Sequence, residues 1–563
     1  MVDHRISPVM LDRRGFFGLA AAASLFALAG CSSGGTGSAS GGGAAGGTAF
    51  RAPKYVAPEA SDALLVSKVE GVPPIVIKPV QTWIDAIKTK PASGGDVTAL
   101  EIIWSGPGSP LKSNDRWQAV NKELGATLKP TLVPSGSYDQ KTATILASGK
   151  VPDLAFILDE TPTVAQAIED GAFADLSDVL AGDGILKYPN LAKIETSAWK
   201  AAAKNGRIYG VPSANGLVGQ FPVIRTDLMA QVGFTEVPGD TENFGKMLTE
   251  LAKLKRDSAG RRFYVHNTLN QGGMPLFRAS FGIGADYSLD GKGELTAFML
   301  RDEYPDFIAY VADLWKKDVF HPDTFGTNID NRQFGLGKEA MSVAGFSGHY
   351  WRAEGQVNKL LGGVPGAKVT HFVFPSAAGT APVFSRSSGY WGIVALSAAA
   401  AKDEKRRHEL LSIADWFCAP YNSKEQRLIR YGVEGLDFTI DDEFNVVSAA
   451  REGHEEDGSA TNLGISGYPV NFMPSDTVHL AENVLACMEG MVTNTVDNPV
   501  AGIVNQAKIK KDAALTQVIT DYQNGMVTGR KPVTQVKEFR KAWLSQGGQA
   551  VLDEYKKTID EAK

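Results

Sequence analysis

From Val97 onward the chain alternates short apolar runs with amphipathic stretches, and this alternation limits what it can fold into. Thr98 to Trp104 reads as a buried strand stopped by Ser105-Gly106-Pro107-Gly108. A helix is expected around Arg116 to Leu124, a short strand at Thr131 to Val133, a helix from Tyr138 to Ser148 and a strand over Asp153 to Ile157. Strands that alternate with helices pair in parallel and build an α/β sheet. Further along, Phe307, Tyr310, Val311 and Leu314 share one helical face, as do Leu410, Ile413, Ala414 and Phe417 before Pro420, and Val536, Phe539 and Trp543 before Gly547-Gly548. These stripes read as core packing.

The 96 residues before this pattern are different. Asp12-Arg13-Arg14-Gly15-Phe16-Phe17 precedes an apolar stretch from Leu19 to Ala29, too short for an ordinary spanning helix and suited to an export signal. The arginine pair resembles a twin-arginine signal, although Asp12 stands where Ser or Thr is usual; the general secretory route is the alternative. The stretch ends Leu28-Ala29-Gly30-Cys31, small residues before a cysteine, which resembles the lipobox of bacterial lipoproteins and marks Cys31 as the lipidated first residue of the mature chain. Residues 32–49 are only Gly, Ser, Ala and Thr. They cannot bury a core and form a tether with a reach of about 24 Å. Residues 50–96 carry six prolines and are expected to lie, irregular, along the surface of the body.

Composition excludes several classes. Of 563 residues, 57 are Lys or Arg and 63 Asp or Glu, a net charge of −6, so the basic surplus of a nucleic-acid binder is missing. Removing residues 1–30, with three Arg and two Asp, leaves −7. Three cysteines do not make a disulfide scaffold; Cys418 and Cys487 lie in apolar helical patterns and read as buried free thiols, with a disulfide as the alternative. The eight histidines include no HExxH or other i,i+4 metal spacing, and there is no Walker A loop, no GxGxxG after a strand and no GxSxG elbow. His454-Glu455-Glu456-Asp457 reads as a solvated acidic loop, and Asp290-Gly291-Lys292-Gly293-Glu294 as a hairpin turn. No metal, cofactor or catalytic residue is therefore assigned; carboxylates paired in space for glycoside hydrolysis stay open.

Several stretches resemble family 1 extracellular solute-binding proteins of ABC transporters. They are Ser148-Gly149-Lys150-Val151-Pro152-Asp153-Leu154, then Tyr209 to Pro212 followed by Val223 to Leu228, then Phe334 to Met341, and Gly389-Tyr390-Trp391-Gly392-Ile393. Tyr431 to Thr439, Val527 to Pro532, Trp543 and Gly547-Gly548 are similar to the large oligosaccharide-binding lipoprotein branch (LplA-like). The resemblance covers roughly residues 51–563. It implies a two-lobed clamp of the periplasmic-binding-protein type. Each lobe would be a doubly wound α/β sheet flanked by helices, with ligand held between them and three crossovers near residues 211–216, 390–394 and 471–476. Lobe 1 would comprise residues 97–212 and 393–472, and lobe 2 residues 216–390 and 476–563.

The resemblance further implies a non-enzymatic, monomeric protein on the outer face of the cytoplasmic membrane. It would close on a carbohydrate and pass it to a membrane permease driven by an ATPase. Sugar binding needs polar groups for hydroxyls and rings for C–H faces. On that basis Trp104, Asp159, Glu160, Asn215, Gln271, His349, Tyr350, Trp351, Tyr390 and Trp391 are the candidate ligand contacts. The bland alternatives are core aromatics for Trp104 and Trp391, a helix N-cap for Asp159 before Thr161-Pro162, and a turn residue for Asn215.

Overall fold

In the computed structural model, residues 50–561 are described apart from 58–60, 105, 159–160, 268, 291, 327–332, 351–354, 378, 450, 455–456, 459–462, 466, 468–469, 502 and 504. The side chains of Pro162 and Gln271 are likewise not described. The strands that build the two main sheets are β1 (Asp96–Ile103), β2 (Thr127–Pro134), β3 (Leu154–Ile157), β4 (Gly210–Ala214), β5 (Phe221–Arg225), β6 (Met341–Ala344), β7 (Val369–His371) and β8 (Tyr390–Leu396).

The first lobe holds a five-stranded sheet in the order β2-β1-β3-β8-β4. β1 runs parallel to β2 and β3, whereas β8 is antiparallel to both β3 and β4. The helices between strands start where the sequence provides caps. Asn114 accepts from the Trp117 N–H ahead of the helix Asp115–Leu124, which Gly125 ends with φ 71°. Thr161 accepts from the Val164 N–H, with Pro162 in the first turn, ahead of Pro162–Glu169. The cap before this helix is therefore Thr161.

The second lobe repeats the plan with shorter strands. β5 lies between β6 and β7, antiparallel to both. Parallel single bridges Tyr264↔Glu339 and His266↔Phe320 extend the sheet beyond β6. In both lobes the antiparallel member, β8 in the first and β5 in the second, is the strand that has just arrived from the other lobe. A chain entering a sheet from the side of the cleft must run against strands whose carboxyl ends point there. The carboxyl ends of the parallel strands and the amino end of the incoming one therefore share an edge, where open α/β sheets present ligands.

Two separate apolar cores match the two sheets. One gathers side chains from Ala92 to Ala214 and from Tyr390 to Ile465; the other gathers Val72 and Ile75, then Leu217 to Phe384, then Met473 to Tyr555. The lead-in is more than a surface strap. Ile75–Val76 pairs with Leu64–Leu65 and, in parallel, with Asn471–Phe472, and its side chains are buried. The Leu217 N–H donates to the Gly71 carbonyl, and a side chain at Gly216 would collide with Pro73. The proline-rich segment is thus packed against the first crossover, because its prolines supply apolar rings without backbone donors to satisfy. Cys418 lies buried in the first core and Cys487 in the second, both as free thiols. Burial raises the Cys487 thiol to about 12. No helix of the described residues is long and apolar enough to cross a membrane.

Candidate functional site

Strand ends decide which predicted side chains reach the cleft edge. Trp104 immediately follows β1, and Trp391 is the second residue of the incoming β8. Both rings are solvent-exposed, at 69% and 36%. Their centroids are 6.3 Å apart and their planes are inclined at 48°. The sequence alternative of two core aromatics does not hold. Exposed tryptophans in contact form an apolar surface with two indole N–H groups, suited to a flat, hydroxylated ligand.

This pair has a floor that the sequence reading missed. The Phe156 ring, fully buried in β3, packs at 4.5 Å from Trp391. Its route passes over Gly392, where a Cβ would come within 2.5 Å of the Phe156 ring. The adjacent Trp391-Gly392 was the available signal: a glycine beside an exposed ring leaves space for a second ring beneath it. Tyr390 goes the other way. As its neighbour on a pleated strand it turns into the first core, 8% exposed, and is corrected from ligand contact to core residue. Asn215 is exposed at the first crossover. Its backbone N–H donates to the Gly389 carbonyl and its side-chain oxygen accepts from the Gly216 N–H. The turn role is therefore real, and among the described residues its amide NH₂ has no partner.

His349 and Tyr350 do not reach the cleft. They sit in the five-residue helix Phe346–Tyr350 after β6 and are almost wholly buried. His349 Nε2 donates to the Phe221 carbonyl at 3.0 Å, and the Tyr350 hydroxyl donates to His371 Nε2 at 2.6 Å. His371 Nδ1 in turn donates to the Pro222 carbonyl at 2.9 Å. These rings hold the carbonyls at the start of β5, where the incoming strand is paired with β6 but not yet with β7. Desolvation lowers His349 to about 4 and depresses His371 well below the ordinary range, so both are neutral at pH 7. They are a buried support of the second lobe, a correction to the sequence expectation. Adjacent amphipathic rings serve equally well as internal struts: His349 Nε2 and His371 Nδ1 each meet a carbonyl and the Tyr350 hydroxyl meets His371, while His349 Nδ1 has no partner among the described residues.

Asp159, Glu160 and Trp351 lie outside the described residues. Gln271 closes the short helix Leu269–Gln271, which comes after the extension strand at 264–266 on the cleft edge of the second lobe. Gln220, one residue before β5, is exposed near it: a Cβ at Gly272 would meet Gln220 Oε1. Its place at the amino end of an incoming strand was legible only once β5 was known to be antiparallel.

Among the described residues no group of three or more His, Cys, Asp or Glu side chains converges as a metal site. Asp290 closes the expected hairpin, its carboxylate accepting from the Lys292 and Glu294 N–H groups. The 454–457 loop differs from expectation. Asp457 is buried, accepting from the Ser109 N–H at 2.7 Å and pairing with His454 Nδ1 at 2.7 Å. Burial raises its carboxyl, but the hydrogen bonds from Ser109 and His454 outweigh this and hold it below its ordinary value. Beneath the cleft edge, Glu101 is buried on β1 with Oε2 unpartnered among the described residues, and desolvation raises it well above the carboxylate range.

Two α/β lobes, joined by crossovers that enter each sheet from a shared edge, with exposed rings on the first of them, define a clamp-type binding protein. The sequence profile of the bacterial extracellular solute-binding protein family matches residues 116–428, and the chain belongs to that family. It is 23% identical over 505 residues to the lipoprotein LipO of Bacillus subtilis (strain 168), covering 84% of this chain and 95% of LipO. It is 20% identical to the polygalacturonan/rhamnogalacturonan-binding protein YtcQ of the same strain, covering 79% of this chain and 88% of YtcQ. Among solved structures, an extracellular solute-binding protein from Bifidobacterium longum subsp. infantis superposes with a TM-score of 0.61 at 17% identity, over 83% of this chain and 98% of that one. The Streptococcus pneumoniae binding protein FusA in complex with kestose gives 0.58 at 16% identity, over 83% and 99%. These structures share the two-lobed fold.

Proposed function

We propose that this chain is a membrane-anchored extracellular lipoprotein, held through lipid on Cys31, that captures a neutral oligosaccharide by lobe closure and delivers it to an ABC importer. The observation that carries the reading is the exposed Trp104–Trp391 pair on the Phe156 floor at the cleft edge. Sugar C–H faces stack on such rings, and Asn215 supplies a free amide beside the first crossover for hydroxyls. Trp104, Trp391, Asn215 and Gln271 remain the proposed contacts, with Asp159 and Glu160 just after β3 in the chain and Trp351 just after the helix Phe346–Tyr350. Two acidic side chains in the contact set favour a neutral sugar over a polyuronate, which would call for Arg or Lys. LipO is named a lipoprotein, YtcQ is named for binding polygalacturonan and rhamnogalacturonan, and proteins of similar structure bind alginate or kestose, which supports the carbohydrate class. Closure results if the sugar touches both lobes only when they approach, so that binding shifts the open–closed equilibrium.

A thermal-shift screen of the mature chain tests this, using neutral fructo-, gluco- and manno-oligosaccharides, oligogalacturonides, monosaccharides and short peptides. A ligand at a hundred times its Kd adds about 2.7 kcal/mol of stability, several degrees of Tm. A shift with a neutral oligosaccharide that is recovered intact supports the reading. A shift with oligogalacturonides alone overturns the neutral assignment. A shift only with peptides, or hydrolysis of the saccharide, overturns the reading as a whole.

A further inference from the structure

The stretch after Tyr431 lies beyond the residues matched by the family profile, yet it touches the supports of both tryptophans. On the Trp104 side it meets the loop after β1. The Asp457 carboxylate accepts from the Ser109 N–H, five residues past Trp104, and the Asp457 carbonyl accepts from Asn114 Nδ2. His454 Nδ1 lies 3.3 Å from Ser109 Oγ. The Arg116 guanidinium is enclosed between Gly432 and Gly458, where any Cβ would collide with it, and it donates to the Tyr431 carbonyl at 2.9 Å. Asp437 faces it at 3.7 Å and is held from the other side by Arg451 at 3.2 Å. On the Trp391 side, Gly464 lies flat on the Phe156 ring, with φ 68° and room for no Cβ, and gives a backbone hydrogen bond to the buried Glu101. Phe156 in turn carries Trp391.

We infer that Asp457, Asp437 and Gly464 are positioning residues that set the distance and tilt of the Trp104–Trp391 pair, and thereby which saccharide faces it accepts. The physical need is plain. Trp104 stands 69% exposed on a strand end, and a ring with so few contacts of its own keeps one orientation only if the loop after it is fixed. Buried charge-assisted hydrogen bonds such as those of Asp457 fix a loop far better than exposed pairs do. The inference rests on the reading of the two rings as the sugar platform.

The test uses 5-fluorotryptophan-labelled mature protein without ligand, with the Trp104 and Trp391 ¹⁹F resonances assigned through W104F and W391F. Asp457→Ala is expected to speed amide exchange over residues 106–114 about tenfold and to shift and broaden the Trp104 resonance. Asp457→Asn, which keeps an acceptor for Ser109, should do so less. Gly464→Ala is expected to move the Trp391 resonance. Asp290→Ala, in the second-lobe hairpin, should move neither. Ring resonances unmoved by Asp457→Ala, whether or not the loop exchanges faster, would overturn the inference, since a purely structural anchor would then suffice. Titration with nystose and with oligogalacturonides separates the two readings. If neither binds the wild type while the rings still respond, the platform's ligand is wrong but the positioning stands. If one binds, Asp457→Ala should raise its dissociation rate about tenfold, and an unchanged rate would overturn the role in selectivity.

Discussion

The two lobes share a topology, but the buried carboxyl and imidazole groups that desolvation pushes toward the neutral form are acids in the first and histidines in the second. Under the cleft edge of the first lobe lie acids: Glu101, and deeper Asp415, whose carboxylate accepts from the Asn190 and Leu191 N–H groups. Under the edge of the second lobe lie His349 and His371, each donating to a carbonyl at the start of β5. The rings differ in the same way. The first lobe exposes its aromatic pair, while the second folds its pair inward against Phe221. One sheet plan thus yields a presenting lobe and a bracing lobe, and the difference arises in the few residues past the strand end. After β1 the chain leaves Trp104 exposed among the described residues; after β6 it enters at once a short helix that carries its rings back over the sheet.

The largest test of this contrast compares the two phenylalanines at the cleft edges. Phe156 and Phe221 are equally buried, and truncating either to Ala should cost about 3–5 kcal/mol of stability. Denaturant unfolding should show similar losses. Saccharide affinity should not, because only Phe156→Ala removes the floor of Trp391. Equal loss of affinity in both variants would erase the distinction between presenting and bracing.

Acid should separate the lobes next. His349 has its folded value near 4 against 6.5 unperturbed, because burial disfavours its charged form. Its contribution is therefore full above pH 6.5 and is lost as pH falls toward 4, up to about 3 kcal/mol, with His371 acting in the same direction. Asp415 is raised by burial from 3.8 to about 6. Its contribution is full below pH 3.8 and is lost as pH rises through 6, again up to about 3 kcal/mol, and Glu101 has the same sign. Amide exchange at pH 7.5 and 4.5 should show the second lobe losing protection relative to the first on acidification. His349→Gln, which retains a donor for Phe221, and Asp415→Asn should each flatten one side of that profile. Parallel changes in both lobes for the wild type would contradict the assignment.

A smaller effect belongs to the exposed pair itself. Trp104→Ala or Trp391→Ala should weaken saccharide binding by about 2 kcal/mol, roughly thirtyfold, while stability changes little for Trp104 because so little of it is buried. Replacement by Phe should recover much of the loss. The same substitutions at Tyr350 should cost stability first, since its hydroxyl holds His371.

What the residues alone reveal divides along the same line. The β1–helix–β2–helix–β3 run was legible because β1 and β3 contain apolar runs and the first helix has both a cap, Asn114, and a stop, Gly125. Exposure was legible where position along a strand decides it, as at Trp104. Faces were misread where two neighbouring aromatics had to be assigned: Tyr390 and Trp391 lie where the register of β8 against β4 shifts, between Tyr390 and Ile393, and that shift is visible only in the paired strands. His349 and Tyr350 were misread because only the fold shows that β5 enters antiparallel and leaves carbonyls for them to satisfy. Asp457 was taken for a solvated residue because its partners, Ser109 and Asn114, lie more than 340 positions earlier in the chain.

Asn215 offers the finest discrimination between binding and folding roles. Its side-chain oxygen is already engaged by the Gly216 N–H at 2.9 Å, which shapes the crossover, and its exposed NH₂ is what remains for a ligand hydroxyl. Asn215→Asp keeps the oxygen and removes the donor, whereas Asn215→Ser keeps a shorter hydroxyl able to shape the turn and donate only at closer range. A neutral hydrogen bond contributes about 1 kcal/mol, so Asn215→Asp should lower saccharide affinity about fivefold with Tm unchanged. Asn215→Ser should fall between it and the wild type. If Asn215→Asp lowers Tm and leaves affinity untouched, the residue belongs to the crossover alone, and the hydroxyl contacts must then be sought at the β3 end and at Gln220.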